Sequence, residues 1–261
     1  MNQAAPMKFS DLAGRTAVVT GGARGLGYSL ASALARQGVN VALLDLLPEV
    51  EASATRLAEE TGVATASAIV DVTDAASVEA AFTAVRAQLG TPDILLTAAG
   101  ITTWGAAAEV EPAAWKRVID INLTGTFYST QSFARPLIAE GRAGSAVLVS
   151  SMSGRIVNVP QNQASYNSSK AAVDQLAKSL AVEWAPAIRV NAIAPGYFLS
   201  DMTRQFTEAN PDLAADWVSR IPAGRMGEPA DLDGLVLLLA SSSSSYMTGQ
   251  TLVIDGGYTA I

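Results

Sequence analysis

Tyr166 stands four residues before Lys170 in Ala164-Ser165-Tyr166-Asn167-Ser168-Ser169-Lys170, and Ser151 follows the strand-like run Ala146-Val147-Leu148-Val149-Ser150. Positions i and i+4 of a helix share a face, so a helix here sets the Lys170 ammonium beside the Tyr166 phenol. A phenol of ordinary pKa, about 10, is too weakly acidic to act as a base at neutral pH, and a nearby positive charge favours its phenolate. Tyr166 can then exchange a proton with a substrate hydroxyl or carbonyl held by Ser151, the proton half of a hydride transfer. Spacing alone also fits an ordinary helix with a Tyr and a Lys on one face. Other segments decide between the two.

Arg15-Thr16-Ala17-Val18-Val19-Thr20 reads as a buried strand and runs into Gly21-Gly22-Ala23-Arg24-Gly25-Leu26-Gly27, after which a helical pattern covers about Leu26 to Gln37. Strand, glycine-rich turn and helix start make a phosphate cradle: glycines admit close backbone approach, and the helix N-terminus offers N–H groups and a positive dipole end. Asp45, eighteen residues past Gly27, ends a second hydrophobic strand, where a carboxylate can bind the ribose hydroxyls of a dinucleotide. An ordinary strand-to-loop aspartate is the plainer reading of that residue.

Thr20-Gly21-x-x-x-Gly25-x-Gly27 and Tyr166-x-x-x-Lys170 with Ser151 resemble the short-chain dehydrogenase/reductase superfamily over nearly the whole chain. Asp71-Val72, Asn122, Arg189-Val190-Asn191 and Pro195-Gly196 fall in the family's order. The resemblance implies a catalytic tetrad of Asn122, Ser151, Tyr166 and Lys170, with Asn122 helping to hold a water that connects Lys170 to solvent. It also implies a nicotinamide dinucleotide on Gly21, Arg24, Gly25, Leu26, Gly27, Asp45, Asp71, Val72, Ala99, Gly100, Tyr166, Lys170, Pro195, Gly196, Phe198 and Ser200. Two departures stand out: Thr97-Ala98-Ala99-Gly100 replaces the family's Asn-Asn-Ala-Gly, and Ser200 replaces a common Thr. The first puts a side-chain hydrogen bond in doubt; neither touches the tetrad.

Composition narrows the class. The 261 residues, 49% hydrophobic, suit a single domain with a large core, and no linker or internal repeat divides them. The chain has neither cysteine nor histidine, which removes disulfides, thiol nucleophiles, histidine triads and the common zinc sites, so no metal is expected. A formal net charge of −7 argues against nucleic acid or an anionic membrane as partner. Met1-Asn2-Gln3-Ala4-Ala5-Pro6 has no apolar core of a signal peptide, and no run is long enough to span a bilayer, which fits a cytoplasmic enzyme.

Strands are expected near 15–20, 39–45, 66–70, 93–97, 145–150, 188–193 and 251–254, alternating with helices. That alternation predicts an α/β fold, a Rossmann-type doubly wound parallel sheet of about seven strands with helices on both faces. Right-handed crossovers then bring the carboxyl ends of the strands to one edge, where such sheets bind ligands.

For the cofactor, Arg24 could meet a 2′-phosphate, whereas Asp45 would repel it; a like-charge contact near 4 Å costs about 4 kcal/mol at an effective dielectric of 20. NAD is therefore expected over NADP. For the substrate, Ser151, Ser153, Asn158 and Gln161 lie in the loop leading to Tyr166, and this run continued through Tyr197 resembles the polyol dehydrogenase and ketose reductase branch of the family (galactitol, arabinitol and sorbose enzymes). A polyol or secondary alcohol is the expected substrate. Gln161 could equally cap its loop, and Trp104, Tyr197 and Met202 wall the pocket or simply pack. Residues 200–220 are helical but broken at Asn210-Pro211, and the resemblance makes them a lid. Two other readings are a 3-oxoacyl thioester reductase and a dinucleotide sensor without turnover; the filled tetrad speaks against the sensor. Apolar faces on the helices near 111–139 and 164–184, with the family resemblance, suggest a homotetramer.

Overall fold

Thr16-Ala17-Val18-Val19-Thr20 (β1) is buried at every position, so both of its faces need cover. The computed structural model describes residues 8–261, apart from the side chains of Asp201, Met202, Gln205 and Phe206. In it β1 lies inside a seven-stranded sheet of order β3-β2-β1-β4-β5-β6-β7, with β2 at Asn40–Asp45, β3 at Thr65–Ile69, β4 at Ile94–Thr97, β5 at Gly144–Val149, β6 at Ile188–Pro195 and β7 at Thr251–Ile254. Every neighbouring pair is parallel. The order reverses between β1 and β4, the place at which sheets of this kind bind ligands.

Strand residues alternate between the two layers. Val41 and Leu43 of β2 join a core with Ala17, Val19, Ile94 and Leu96, against α1 (Gly25–Ala35), α2 (Val50–Thr61) and α9 (Asp233–Ala240). Ala42 and Leu44 join the opposite core with Val18, Leu95, Ala146 and Leu148, against α3 (Ala75–Leu89), α5 (Gly125–Glu140) and α6 (Ala164–Trp184). Two-residue periodicity in an unbroken apolar strand thus feeds two cores, each buried Leu contributing about 1.5–3 kcal/mol. A third cluster, Trp217, Ile221 and Met226, sits apart under α8 (Pro211–Ser219).

The expected strands are present with ends displaced by one or two residues. The first helix stops at Ala35 rather than Gln37, because Gly38 turns the chain at φ 82°. The expected helix near 111–139 is α4 (Pro112–Ile119) and α5 joined through a π-helical turn, Asp120–Thr124. Residues 200–220 form α7 (Asp201–Ala209) and α8, divided at Asn210-Pro211. Among the described residues, no helix is long and apolar enough to cross a membrane.

Candidate active site

At the end of β1 the backbone is packed too tightly for side chains. A Cβ on Gly21, whose φ is 69°, would lie 2.6 Å from the Ala99 nitrogen, and one on Gly27 would lie 2.0 Å from the Gly21 oxygen. Gly21 thus lets the turn pass against the loop after β4, and Gly27 lets α1 begin directly above it. Gly27→Ala is expected to break this contact: thermal unfolding should reveal a loss of about 2–3 kcal/mol, with weakened dinucleotide binding in titration. Unchanged stability and binding would mean that the turn can open freely.

Arg24 precedes α1 in extended conformation and offers no side-chain cap to the helix. The start of α1 therefore suits an anionic group such as a pyrophosphate. Asp45, at the end of β2, is bound into the same turn: its Oδ2 accepts the Ala23 N–H at 3.0 Å and its Oδ1 the Leu47 N–H at 3.0 Å. The Ser53 hydroxyl holds the Ala23 carbonyl at 2.7 Å. Asp45 is thus both the ordinary turn residue and a carboxylate held at the glycine-rich loop. Arg24 remains exposed.

Further along the same edge, Asp71 accepts from the backbone and hydroxyl of Thr73 and lines a cleft with Leu46, Lys116, Arg117 and Ile121. Val72 is buried against Gly125. A Cβ on Gly100 would stand 3.4 Å from Asn122 Oδ1 and 3.6 Å from Lys170 Nζ, so the backbone beyond Ala99 passes directly over two tetrad residues. Pro195 closes β6, Gly196 packs against Asp255, Phe198 is buried against Gly227, and the Ser200 hydroxyl bonds Thr203 at the start of α7. Leu26 packs at the margin of the first core. Where the family pattern has Asn, the Thr97 hydroxyl is buried with no hydrogen-bond partner.

Asn122 lies in the π-helical turn. Its Oδ1 accepts the Ile101 N–H at 2.8 Å, and its Nδ2 donates to the Ile101 carbonyl at 2.9 Å and to Ser169 Oγ at 3.0 Å. One amide thereby ties the loop after β4 to α6. Ser151 leaves β5 in extended conformation, its Oγ accepting from the Ser153 N–H at 3.1 Å, within hydrogen-bond reach of Tyr166. Lys170 Nζ donates to the Val149 carbonyl at 2.7 Å and stands 5.7 Å from the Tyr166 ring centre.

Burial pushes the Tyr166 phenol above its ordinary pKa, against a smaller opposing effect of the Ser151 hydrogen bond. Burial thus works against the phenolate that a neighbouring ammonium would favour, and the Lys170 ammonium donates to Val149. Burial also brings Lys170 down to about 8, with Asp174, one turn further along α6, acting in the opposite sense. Asp174 is held by Arg155 at 3.2 Å.

The loop before α6 makes one polar network. Tyr197 Oη accepts from Asn158 Nδ2 at 3.1 Å and Gln161 Nε2 at 3.0 Å. Gln163 Nε2 lies 2.9 Å from Asn158 Oδ1, 2.9 Å from Asn167 Oδ1 and 3.3 Å from Ser153 Oγ. The residues singled out in the sequence, Ser153, Asn158, Gln161 and Tyr197, thus come together, and Gln163 joins them unannounced. Its place before the Tyr166 helix was the available signal. Trp104 lines a cleft with Pro160 and Gln161, while the Met202 side chain lies outside the described residues.

Known proteins are similar to this chain in sequence and fold. A family model described as enoyl-(acyl carrier protein) reductase matches residues 21–259. Galactitol 2-dehydrogenase (L-tagatose-forming) of Cereibacter sphaeroides is 43% identical over 251 residues, 95% of this chain and 96% of its own. The chain belongs to the short-chain dehydrogenase/reductase family. Another relative in this family, the NADH-dependent L-xylulose reductase of Ambrosiozyma monospora, is 40% identical over 262 residues, covering 95% of this chain and 96% of that one. A gluconate 5-dehydrogenase from Burkholderia cenocepacia, solved in complex with NADP and tartrate, superposes with a TM-score of 0.91 at 33% identity, covering 97% and 99% of the two chains. Membership makes this short-chain dehydrogenase/reductase an oxidoreductase that uses a nicotinamide dinucleotide.

Proposed function

We propose that residues 1–261 form a single catalytic domain that interconverts a polyol and the corresponding ketose, with NAD preferred to NADP. The observation that carries this reading is the Asn158, Gln161 and Tyr197 network, linked through Gln163 and Ser153 to Ser151. Amides and a phenol there suit a substrate rich in hydroxyls, because a site built for hydrogen bonds discriminates strongly against analogues lacking them. The polyol and ketose names of the relatives support the same substrate class. The family model's acyl-carrier description points instead to a thioester reductase. This polar wall and the net charge of −7 favour the polyol over an acidic carrier.

The dinucleotide, when bound, gives or takes the hydride. The chain does the rest: Ser151 and Tyr166 hold the reacting oxygen, Tyr166 carries its proton, and Lys170 supplies positive charge. Asn122 fixes the backbone of Ile101 against α6. Exposed Trp115, Phe127 and Ile138 along α4 and α5 support a homotetramer built through those helices. A cytoplasmic enzyme without disulfides agrees with the lack of cysteine.

Asp45 supports the cofactor preference, since its carboxylate is held at the turn by two backbone N–H groups and cannot swing aside without losing them. Initial rates of reduced-cofactor formation with NAD and NADP, over a panel of polyols and simple secondary alcohols, test the proposal. NAD is expected to give the higher kcat/KM, and Asp45→Ser should raise the NADP to NAD ratio at least about tenfold. A wild type that prefers NADP, or turns over only acyl thioesters, would overturn it.

A further inference from the structure

Tyr197 ties the lid, the C-terminal tail and the amides of Asn158 and Gln161 to each other. Its ring stacks on Trp217 of α8, centres 4.3 Å apart and planes 7° from parallel. Tyr258 of the tail meets it edge-on at 5.4 Å and 81°. Its oxygen is the shared acceptor for Asn158 and Gln161. We propose that Trp217 is a positioning residue for substrate specificity: by clamping the ring of Tyr197 it fixes the direction in which the Asn158 and Gln161 amides meet substrate hydroxyls. This rests on the polyol reading above.

The chemistry of the amides makes the ring position matter. Each side-chain amide has two N–H donors. One from Asn158 and one from Gln161 go to Tyr197 Oη, and the Asn158 carbonyl is engaged by Gln163. Gln161 meets the phenol through both ends of its amide, its Oε1 accepting from the Tyr197 hydroxyl at 3.3 Å, so the ring position sets where the free N–H of each amide points. A tyrosine ring free to tilt would move this shared acceptor, and both amides would lose their common reference. Burial holds the Tyr197 phenol above its ordinary pKa, so the acceptor stays neutral over the working range of pH.

Trp217 meets the amides through Tyr197. It is 3% exposed within the small cluster under α8 and belongs to neither core that supports the sheet. Among the hydrogen bonds that fix Ser151, Lys170 and Asn122, none involves α8. Loosening Trp217 should therefore spare the proton-handling groups while blurring the recognition of additional hydroxyls.

The test compares Trp217→Ala and Trp217→Phe with wild type on a polyol and on a simple secondary alcohol, both with NAD. Trp217→Ala is expected to raise KM for the polyol about tenfold, the value of roughly one oriented hydrogen bond, with kcat within about twofold. The simple alcohol, which has no second hydroxyl for the amides, should keep its KM, and Trp217→Phe should restore the polyol KM by restoring the stack. Equal losses on both substrates, or none on either, would overturn the proposal. Amide hydrogen exchange over residues 156–163 reads the coupling without turnover. Faster exchange in Trp217→Ala but not in Trp217→Phe supports it even if the wild type rejects every polyol and the functional reading fails. Unchanged exchange in Trp217→Ala would overturn it.

Discussion

Tyr166→Phe is expected to lower kcat by about 10²- to 10⁴-fold in both directions while leaving dinucleotide binding within a factor of about two. Only the phenol oxygen is removed, and the ring that packs beside Lys170 remains. Because burial raises the phenol's pKa, wild-type Tyr166 keeps its proton through neutral pH. It is then ready to protonate a carbonyl, whereas alcohol oxidation must first find it without the proton. Reduction by the wild type should thus be nearly independent of pH below about 8, and oxidation should climb with pH. Initial rates in both directions check this together with the variant. Substantial residual activity in Tyr166→Phe would place the proton elsewhere and sink the tetrad reading.

This alters what Lys170 is for. The sequence suggests an ammonium that prepares a phenolate before reaction. The geometry gives instead an ammonium 5.7 Å from the ring centre, bonded to Val149, beside a phenol that burial holds toward its neutral form. Its contribution falls after proton transfer, when the phenolate left behind is buried. For charges about 6 Å apart at an effective dielectric of 20, such attraction is worth about 3 kcal/mol, enough for about a hundredfold in rate.

The fold was legible because burial on both faces writes unbroken apolar runs: Val41-Ala42-Leu43-Leu44 can serve no other purpose in a parallel sheet. The glycine-rich turn was legible because Gly21 and Gly27 stand where a Cβ collides with backbone. The π-helical turn at Asn122 was not, since it arises from the demand of one amide for both backbone groups of Ile101, a contact over 21 positions. Trp217 was likewise hidden, because nothing in Asp216-Trp217-Val218 announces a partner twenty residues earlier. Local chemistry showed which groups react. It did not show what aims them.

Lys170→Met should produce an enzyme that is at least as stable as wild type at neutral pH and about a hundredfold or more slower. Burial lowers Lys170 from 10.5 to about 8, so the folded state disfavours the charged form. Below pH 8 both folded and unfolded chains carry this proton, and the folded chain bears the whole cost, about 3 kcal/mol. Between about 8 and 10.5 the folded chain sheds the proton first, and the cost fades as pH rises. Methionine fills a similar volume without a charge but leaves the Val149 carbonyl short of a donor, a loss of about 1–3 kcal/mol. The balance favours the variant by about 0–2 kcal/mol near pH 7 and the wild type once pH passes about 10. Denaturant unfolding without dinucleotide, at both pH values, should show this reversal of order. A variant less stable than wild type by the same amount at every pH would mean that the buried ammonium costs the fold nothing, and the case for an enzyme that sacrifices stability for a charge beside its tyrosine would fall.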